Sequence, residues 1–145
     1  MGETKKIKRI LVVDDQAVAR KAISMVMSQY GHVDMAGKGE EAISMYAEAV
    51  EDDWAYDLVC MDLTMHGLLP GHRAVACIRA YEQRGRIAPA PVVIITSSDR
   101  QEDIAMALEV CGANDYVVKP FDRERVEGVA RKYLVDGFTL TKEVV

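Results

Sequence analysis

A chain of 145 residues with a formal net charge of −5 is most naturally one domain, long enough to bury a single substantial core. Half of its residues are apolar and 28% are charged, as in ordinary globular proteins, and the acidic balance argues against direct nucleic acid binding by this domain. No apolar run approaches bilayer-spanning length and the start "MGETKKIKR" lacks a secretory apolar segment, so no membrane association and a cytoplasmic location are expected.

In chain order, the first apolar run is "ILVV" at 10–13, followed at helical spacing by Val18, Ala22, Met25 and Val26. "HVDMA" at 32–36 partly alternates, as a strand nearer an edge does, and precedes a helical face of Ala42, Ile43, Tyr46, Ala47 and Val50. "LVCM" at 58–61 leads into a shorter face of Ala74, Val75 and Ile78. "VVII" at 92–95, introduced by "APAP", is followed by Ile104, Ala107 and Leu108. "YVV" at 116–118 is followed by Val126, Val129 and Tyr133. The full apolar runs are too short for helices and rich in β-branched residues, the pattern of strands buried on both faces of a parallel sheet. Gly31, Gly39, Gly71 and Gly112 fall between elements. This alternation predicts right-handed crossovers and a doubly wound five-stranded parallel α/β sheet with helices on both faces. Cys60, Cys77 and Cys111 sit singly within apolar or helical patterns and read as small buried hydrophobes, and the histidines are too scattered for a metal motif.

In such sheets ligands gather at the carboxyl ends of the strands. Asp14 and Asp15 follow the first run, Asp62 the third, Thr96, Ser97 and Ser98 the fourth, and Lys119 with Pro120 the fifth. Each has a plainer reading: Asp15 or Ser98 as a helix cap, Lys119 as a solvated strand end, Pro120 as a helix starter. Together they make three acids, hydroxyls and a lysine converging on one edge. Carboxylates that close raise one another's pKa unless a cation neutralises them, and all-oxygen ligands suit Mg²⁺. A divalent cation, a lysine and a hydroxyl are fitted to receive a phosphoryl group. No Ser, Cys or His stands centrally, which leaves a carboxylate as the nucleophile.

The motifs "ILVVDD", "DLVCMDLTM", "PVVIIT" and "GANDYVVKPF", in that order and spacing, resemble the receiver domain of two-component response regulators. The resemblance covers 7–134 and leaves tails at 1–6 and 135–145, with no output domain in the chain. It implies a flavodoxin-like (βα)5 fold and a phosphorylation-activated switch, not an enzyme with a diffusible product. By the same resemblance Asp62 is the phosphoacceptor and itself a metal ligand, and Asp14 and Asp15 hold Mg²⁺, with Asp15 favoured as the direct ligand. The backbone carbonyl of Thr64 is a further ligand, and Lys119 pairs with the phosphoryl group. Thr96 is the switch hydroxyl, with Ser97 in the small-residue position beside it. Tyr116 is the aromatic that changes rotamer, and the bond to Pro120 is a candidate cis peptide. Implied partners are a sensor histidine kinase or phosphotransfer protein and an output partner or homodimer.

Two departures stand out. The family loop Met-Pro-x-Met-Asp-Gly is here "MHGLLPGH", with His66 in the proline position and one extra residue before Gly71. His66 reads either as a polar group near the acceptor or as an exposed loop residue. Counting forward from Pro91 gives Thr96 as the switch hydroxyl, whereas counting back from Lys119 gives Ser97; an inserted Cys111 in "ALEVCGAND" accounts for the offset and favours Thr96. Three alternatives compete: a receiver-like module that signals without phosphorylation, a flavodoxin-like nucleotide or flavin binder, and an aspartate-nucleophile phosphohydrolase. The phosphohydrolase wants a second acid at position 64, where this chain has Thr, and the binder wants a phosphate loop where it has "DDQAVAR".

Overall fold

The apolar runs form strands β1 (Arg9–Val13), β2 (His32–Ala36), β3 (Leu58–Met61), β4 (Val92–Thr96) and β5 (Asp115–Val118) in the computed structural model, which describes residues 7–136. Between them run α1 (Ala17–Met27), α2 (Gly39–Glu51), α3 (Gly71–Gly85), α4 (Gln101–Ala105) and α5 (Arg123–Ala130). The strands make one parallel sheet in the order β2-β1-β3-β4-β5. The four residues Ile10 to Val13 are at most 1% exposed, because helices cover both faces of this central strand. Leu11, Val13, Val59, Met61, Val92 and Ile94 face α2 and α3, packing on Ala42, Tyr46, Val75 and Ile78. The alternate residues Ile10, Val12, Leu58, Cys60, Val93 and Ile95 face α1 and α5, packing on Ile23, Met27, Val126 and Val129. β2 is an edge strand with mixed burial, as its alternation predicts.

The helical faces need correction. α1 buries Ile23, Val26 and Met27, while Val18 and Met25 are 85% and 63% exposed and Ala22 is exposed. Two apolar stripes overlap in this helix, and the one carrying the bulkier Ile23 and Met27 is the one that docks on Ile10 and Val12. α3 is the longest helix described and buries the expected face of Ala74, Val75 and Ile78, while Gly39 and Gly71 open helices instead of separating elements. Cys60 and Cys111 are buried but Cys77 is exposed on α3. The tails fall outside the described residues except Val135 and Asp136; a π-helical turn, Arg131–Val135, carries the last helix one residue past the expected boundary.

α4 has no buried residue and continues as a π-helical turn, Met106–Val110, closed by Cys111 N–H to the Met106 carbonyl at 2.9 Å. That wide turn is how the extra residue is absorbed: Cys111 tucks inward and Gly112, at φ 88°, takes the left-handed conformation that ends the segment. Met106, Leu108 and Val110 are left 44%, 36% and 72% exposed.

A buried polar network fixes the amino ends of β4 and β5. Glu82, 2% exposed, accepts hydrogen bonds from the Tyr46 hydroxyl, from Ala90 N–H at 2.8 Å and from the Arg79 guanidinium at 2.8 Å. Arg79 also donates to the carbonyls of Gly112 and Ala90 and to Asn114 Oδ1, which in turn accepts Val92 N–H at 2.8 Å. Arg79→Met keeps the packing volume but strands a buried carboxylate and three acceptors; chemical denaturation is expected to show a loss of about 3–5 kcal/mol. Glycine substitutions should separate close approach from helix propensity. A Cβ on Gly71 would stand 1.9 Å from the Asp62 carbonyl oxygen, so Gly71→Ala should cost about 2–3 kcal/mol. A Cβ on Gly128, inside α5, meets nothing within 4 Å, so Gly128→Ala should stabilise by about 0.5–1 kcal/mol in the same assay.

Candidate phosphoryl-acceptor site

The sheet order reverses between β1 and β3: β1 leads outward to β2, and β3 leads the other way to β4. Helices diverge at that point and leave a crevice at the carboxyl ends of the two strands. Asp14 and Asp62, the next residues after β1 and β3, are carried into it side by side. Both are buried, at 0% and 4% exposure, while Asp15 is half-buried beside them. One carboxylate oxygen from each of the three lies within 4.8 Å of the others.

Each carboxylate is held differently. Asp14 accepts Gln16 N–H on Oδ1 at 2.9 Å and the Lys119 ammonium on Oδ2 at 2.7 Å, and its backbone carbonyl takes a 2.7 Å bond from Arg20. Asp62 accepts Thr64 N–H on Oδ1 at 3.2 Å, and Lys119 Nζ stands 3.5 Å from its Oδ2. Asp15 is not a helix cap; residue 16 is the cap of α1 and makes no side-chain capping bond. Instead Asp15 Oδ2 accepts two bonds from His66, one from the backbone N–H at 2.9 Å and one from ring Nδ1 at 2.6 Å. Burial alone would push the Asp15 carboxyl up, but these bonds and the imidazole charge outweigh it and hold the carboxyl below its ordinary range.

Thr96 ends β4, fully buried; its Oγ1 makes no well-aligned hydrogen bond, yet it lies near enough to Asp62 to favour that carboxylate's charge. Ser97 is exposed. Ser98 bonds to Asp103 and accepts Arg100 N–H, bracing the loop ahead of α4 instead of capping the helix. Tyr116 packs partly buried against the core, its hydroxyl donating to the Ser98 carbonyl at 2.9 Å. Lys119 reaches the carboxylates from the end of β5, and the Lys119–Pro120 peptide is cis. Thr64 is exposed at the rim. Arg20 is the neighbour that the sequence did not single out, having no motif to announce it. Asp15 and His66 were each visible, His66 as the odd residue in the loop, but their pairing was not.

The donor set suits a hard divalent cation. Three carboxylates face one ammonium, all ligand atoms are oxygen, and the unpartnered Thr96 hydroxyl leaves a hydrogen-bond donor available to an incoming oxygen. Burial of Asp62, then the Asp14 charge, push the Asp62 carboxyl above its usual range, against the pull of Lys119, Thr96 and Thr64 N–H. A raised folded-state pKa means that the native state holds this proton more tightly than the unfolded chain does. The Asp62 contribution to stability therefore falls as pH rises from the ordinary carboxylate range through the raised value. Asp62→Asn should raise the thermal midpoint at pH 7 by a few degrees without divalent cations, about 3–5 °C for each 1 kcal/mol at this size. By scanning calorimetry the gain should vanish at about pH 3, where both states are protonated.

Comparison with known proteins agrees with this geometry. The family model for the response regulator receiver domain matches residues 10–131. The chain is 32% identical over 131 residues to the alkaline phosphatase synthesis transcriptional regulatory protein SphR of Synechococcus elongatus, covering 87% of this chain and 48% of that one. It is 29% identical to the phosphate regulon transcriptional regulatory protein PhoB of Escherichia coli, covering 86% and 52%. The chain thus spans about half the length of these curated relatives. Among solved structures, the CheX–CheY–BeF3–Mg complex of Borrelia burgdorferi contains a chain that superposes with a TM-score of 0.75 at 25% identity, over 89% of this chain and 90% of that one. The BeF3-activated DrrB receiver domain superposes with a TM-score of 0.69 at 26% identity, over 89% and 98%. A family match across most of the chain, on a fold that brings three acids and a lysine to the switch point of the sheet, makes this protein a member of the response regulator receiver domain family.

Proposed function

We propose that this receiver is a switch thrown by Mg²⁺-dependent phosphorylation of Asp62. The observation that carries the reading is the meeting of Asp62 with Asp14, Asp15, Lys119 and an unpartnered buried Thr96 hydroxyl. Relatives solved with BeF3, one of them with magnesium, support it. Asp14, Asp15 and Asp62, with the Thr64 carbonyl at the rim, would hold the cation, which when bound neutralises phosphoryl oxygens. Asp62 Oδ attacks the phosphorus of a phosphohistidine on a sensor kinase or phosphotransfer protein. The O–P bond forms as the N–P bond breaks, and its electron pair returns to the imidazole. Lys119, already 3.5 Å from Asp62, pairs with the phosphoryl charge, and Thr96 Oγ1 donates to one of its oxygens.

The acyl phosphate brings a charge near −2 into a buried site. Thr96 gains the partner it lacks and Lys119 shifts from Asp14 toward the phosphoryl group. Those differential contacts bias a two-state equilibrium that includes the β4–α4 loop and Tyr116, now tied to Ser98. We assign the domain to residues 7–134, place it in the cytoplasm, and give its output to a partner, a second copy or a further domain; it turns over no diffusible substrate of its own.

Intact-protein mass after incubation with a small-molecule phosphodonor tests this directly. A single phosphoryl adduct should form with Mg²⁺, be lost with EDTA and be absent from Asp62→Ala. Lys119→Ala should slow its formation about 100-fold, the scale for removing one preorganised charge-stabilising donor. Absence of an adduct on wild type, with the donor competent on another receiver, would point to signalling without phosphate. Steady turnover of a generic phosphate ester would point to a hydrolase.

A further inference from the structure

Resting on the reading of Asp14, Asp15 and Asp62 as a cation site, we infer that His66 is a positioning residue for that site, acting through Asp15. Two of its groups, the backbone N–H at 2.9 Å and ring Nδ1 at 2.6 Å, converge on one oxygen, Asp15 Oδ2. Both lone pairs of that oxygen are then committed, and Oδ1 is the oxygen left to meet a cation. The imidazole is 99% exposed, so no packing forces it against Asp15; the contact stands on its hydrogen bonds.

The loop that carries His66 is seated on the site and on α2. Gly71 lies against the Asp62 carbonyl, Leu69 O approaches Gly39 closely, and Leu68 N–H points at Glu40 Oε2 at 3.4 Å. Gly67, at φ 114°, makes the turn that follows His66. A proline at position 66, as in the family loop, has neither an N–H nor an imidazole and would make neither bond. In this chain the orientation of Asp15 is thus supplied from the loop, 51 residues away in sequence. Hydrogen-bonded partners of metal-binding carboxylates set both their orientation and the affinity of the site. Coupling runs both ways: what His66 contributes to the cation, the cation returns as order in the loop.

Calorimetric titration of the full chain with Mg²⁺, comparing wild type with three variants, tests the assignment. His66→Ala keeps the backbone N–H and should weaken binding about 3- to 10-fold, and His66→Pro, which removes both donors, about 10- to 100-fold. His66→Gln retains a side-chain N–H and should stay within about twofold of wild type. Hydrogen exchange at the His66 amide should slow when Mg²⁺ is added to wild type. Affinities for His66→Ala and His66→Pro equal to or tighter than wild type would overturn the assignment while leaving the cation site intact. An absence of Mg²⁺ binding to wild type would overturn the cation site and this inference with it.

Discussion

Electrostatic repulsion at the end of two adjacent strands is the constraint around which this domain is built. Asp14 and Asp62 sit almost completely out of water, and two buried carboxylates at that spacing are tolerated only with a positive charge between them. Lys119 supplies it, bonded to Asp14 and within reach of Asp62. The lysine arrives from the edge of the sheet, past the buried Thr96 at the end of β4. Three strand ends therefore supply the charges and a fourth the hydroxyl, and the register that aligns Val13, Met61, Ile94 and Tyr116 across the sheet is what makes them meet.

The site is also poised because that balance is incomplete. One ammonium faces three acids, and burial of Asp62, with the Asp14 charge beside it, pushes its carboxyl up against the pull of Lys119. A cation held there would relieve what the fold has concentrated and offset the further negative charge that a phosphoryl group would bring. The rigid Arg79–Glu82–Asn114 network lies at the other end of β4 and β5, fixing the strand starts. With one end held by buried hydrogen bonds, the proposed switch has its freedom at the other, where Thr96 and Ser98 lie and the Tyr116 hydroxyl reaches.

Much of this was legible in the sequence, for identifiable reasons. Strands buried on both faces leave continuous apolar runs, so "ILVV", "LVCM" and "VVII" mapped onto β1, β3 and β4, and the polar residues after them mapped onto the crevice. α1 was harder, because Val18, Ala22 and Met25 imitate the spacing of a core face and only tertiary docking chooses Ile23 and Met27. Cys77 misled because residue type is a poor guide to which side of a helix is wet. The discord between Thr96 and Ser97 has a physical origin in the π-helical turn ahead of Cys111, which takes up one residue more than a regular α-helical turn. His66 was legible as an oddity, yet its bond to Asp15 joins two loops far apart in the chain and leaves no periodic trace.

The widened turn at the end of α4 also sets how stability is distributed. The five residues of α4 bury nothing, and the segment is anchored chiefly by Ala107 and Cys111. Opening it exposes little apolar surface, so its free energy of local unfolding sits near the bottom of the molecule's range, whereas β1 parts from its neighbours only with the whole core. By its low burial this segment should open at a smaller cost than the sheet beside it. Moving α4 need not part the sheet, so the thermodynamic cost of moving this surface is set apart from the cost of keeping the fold.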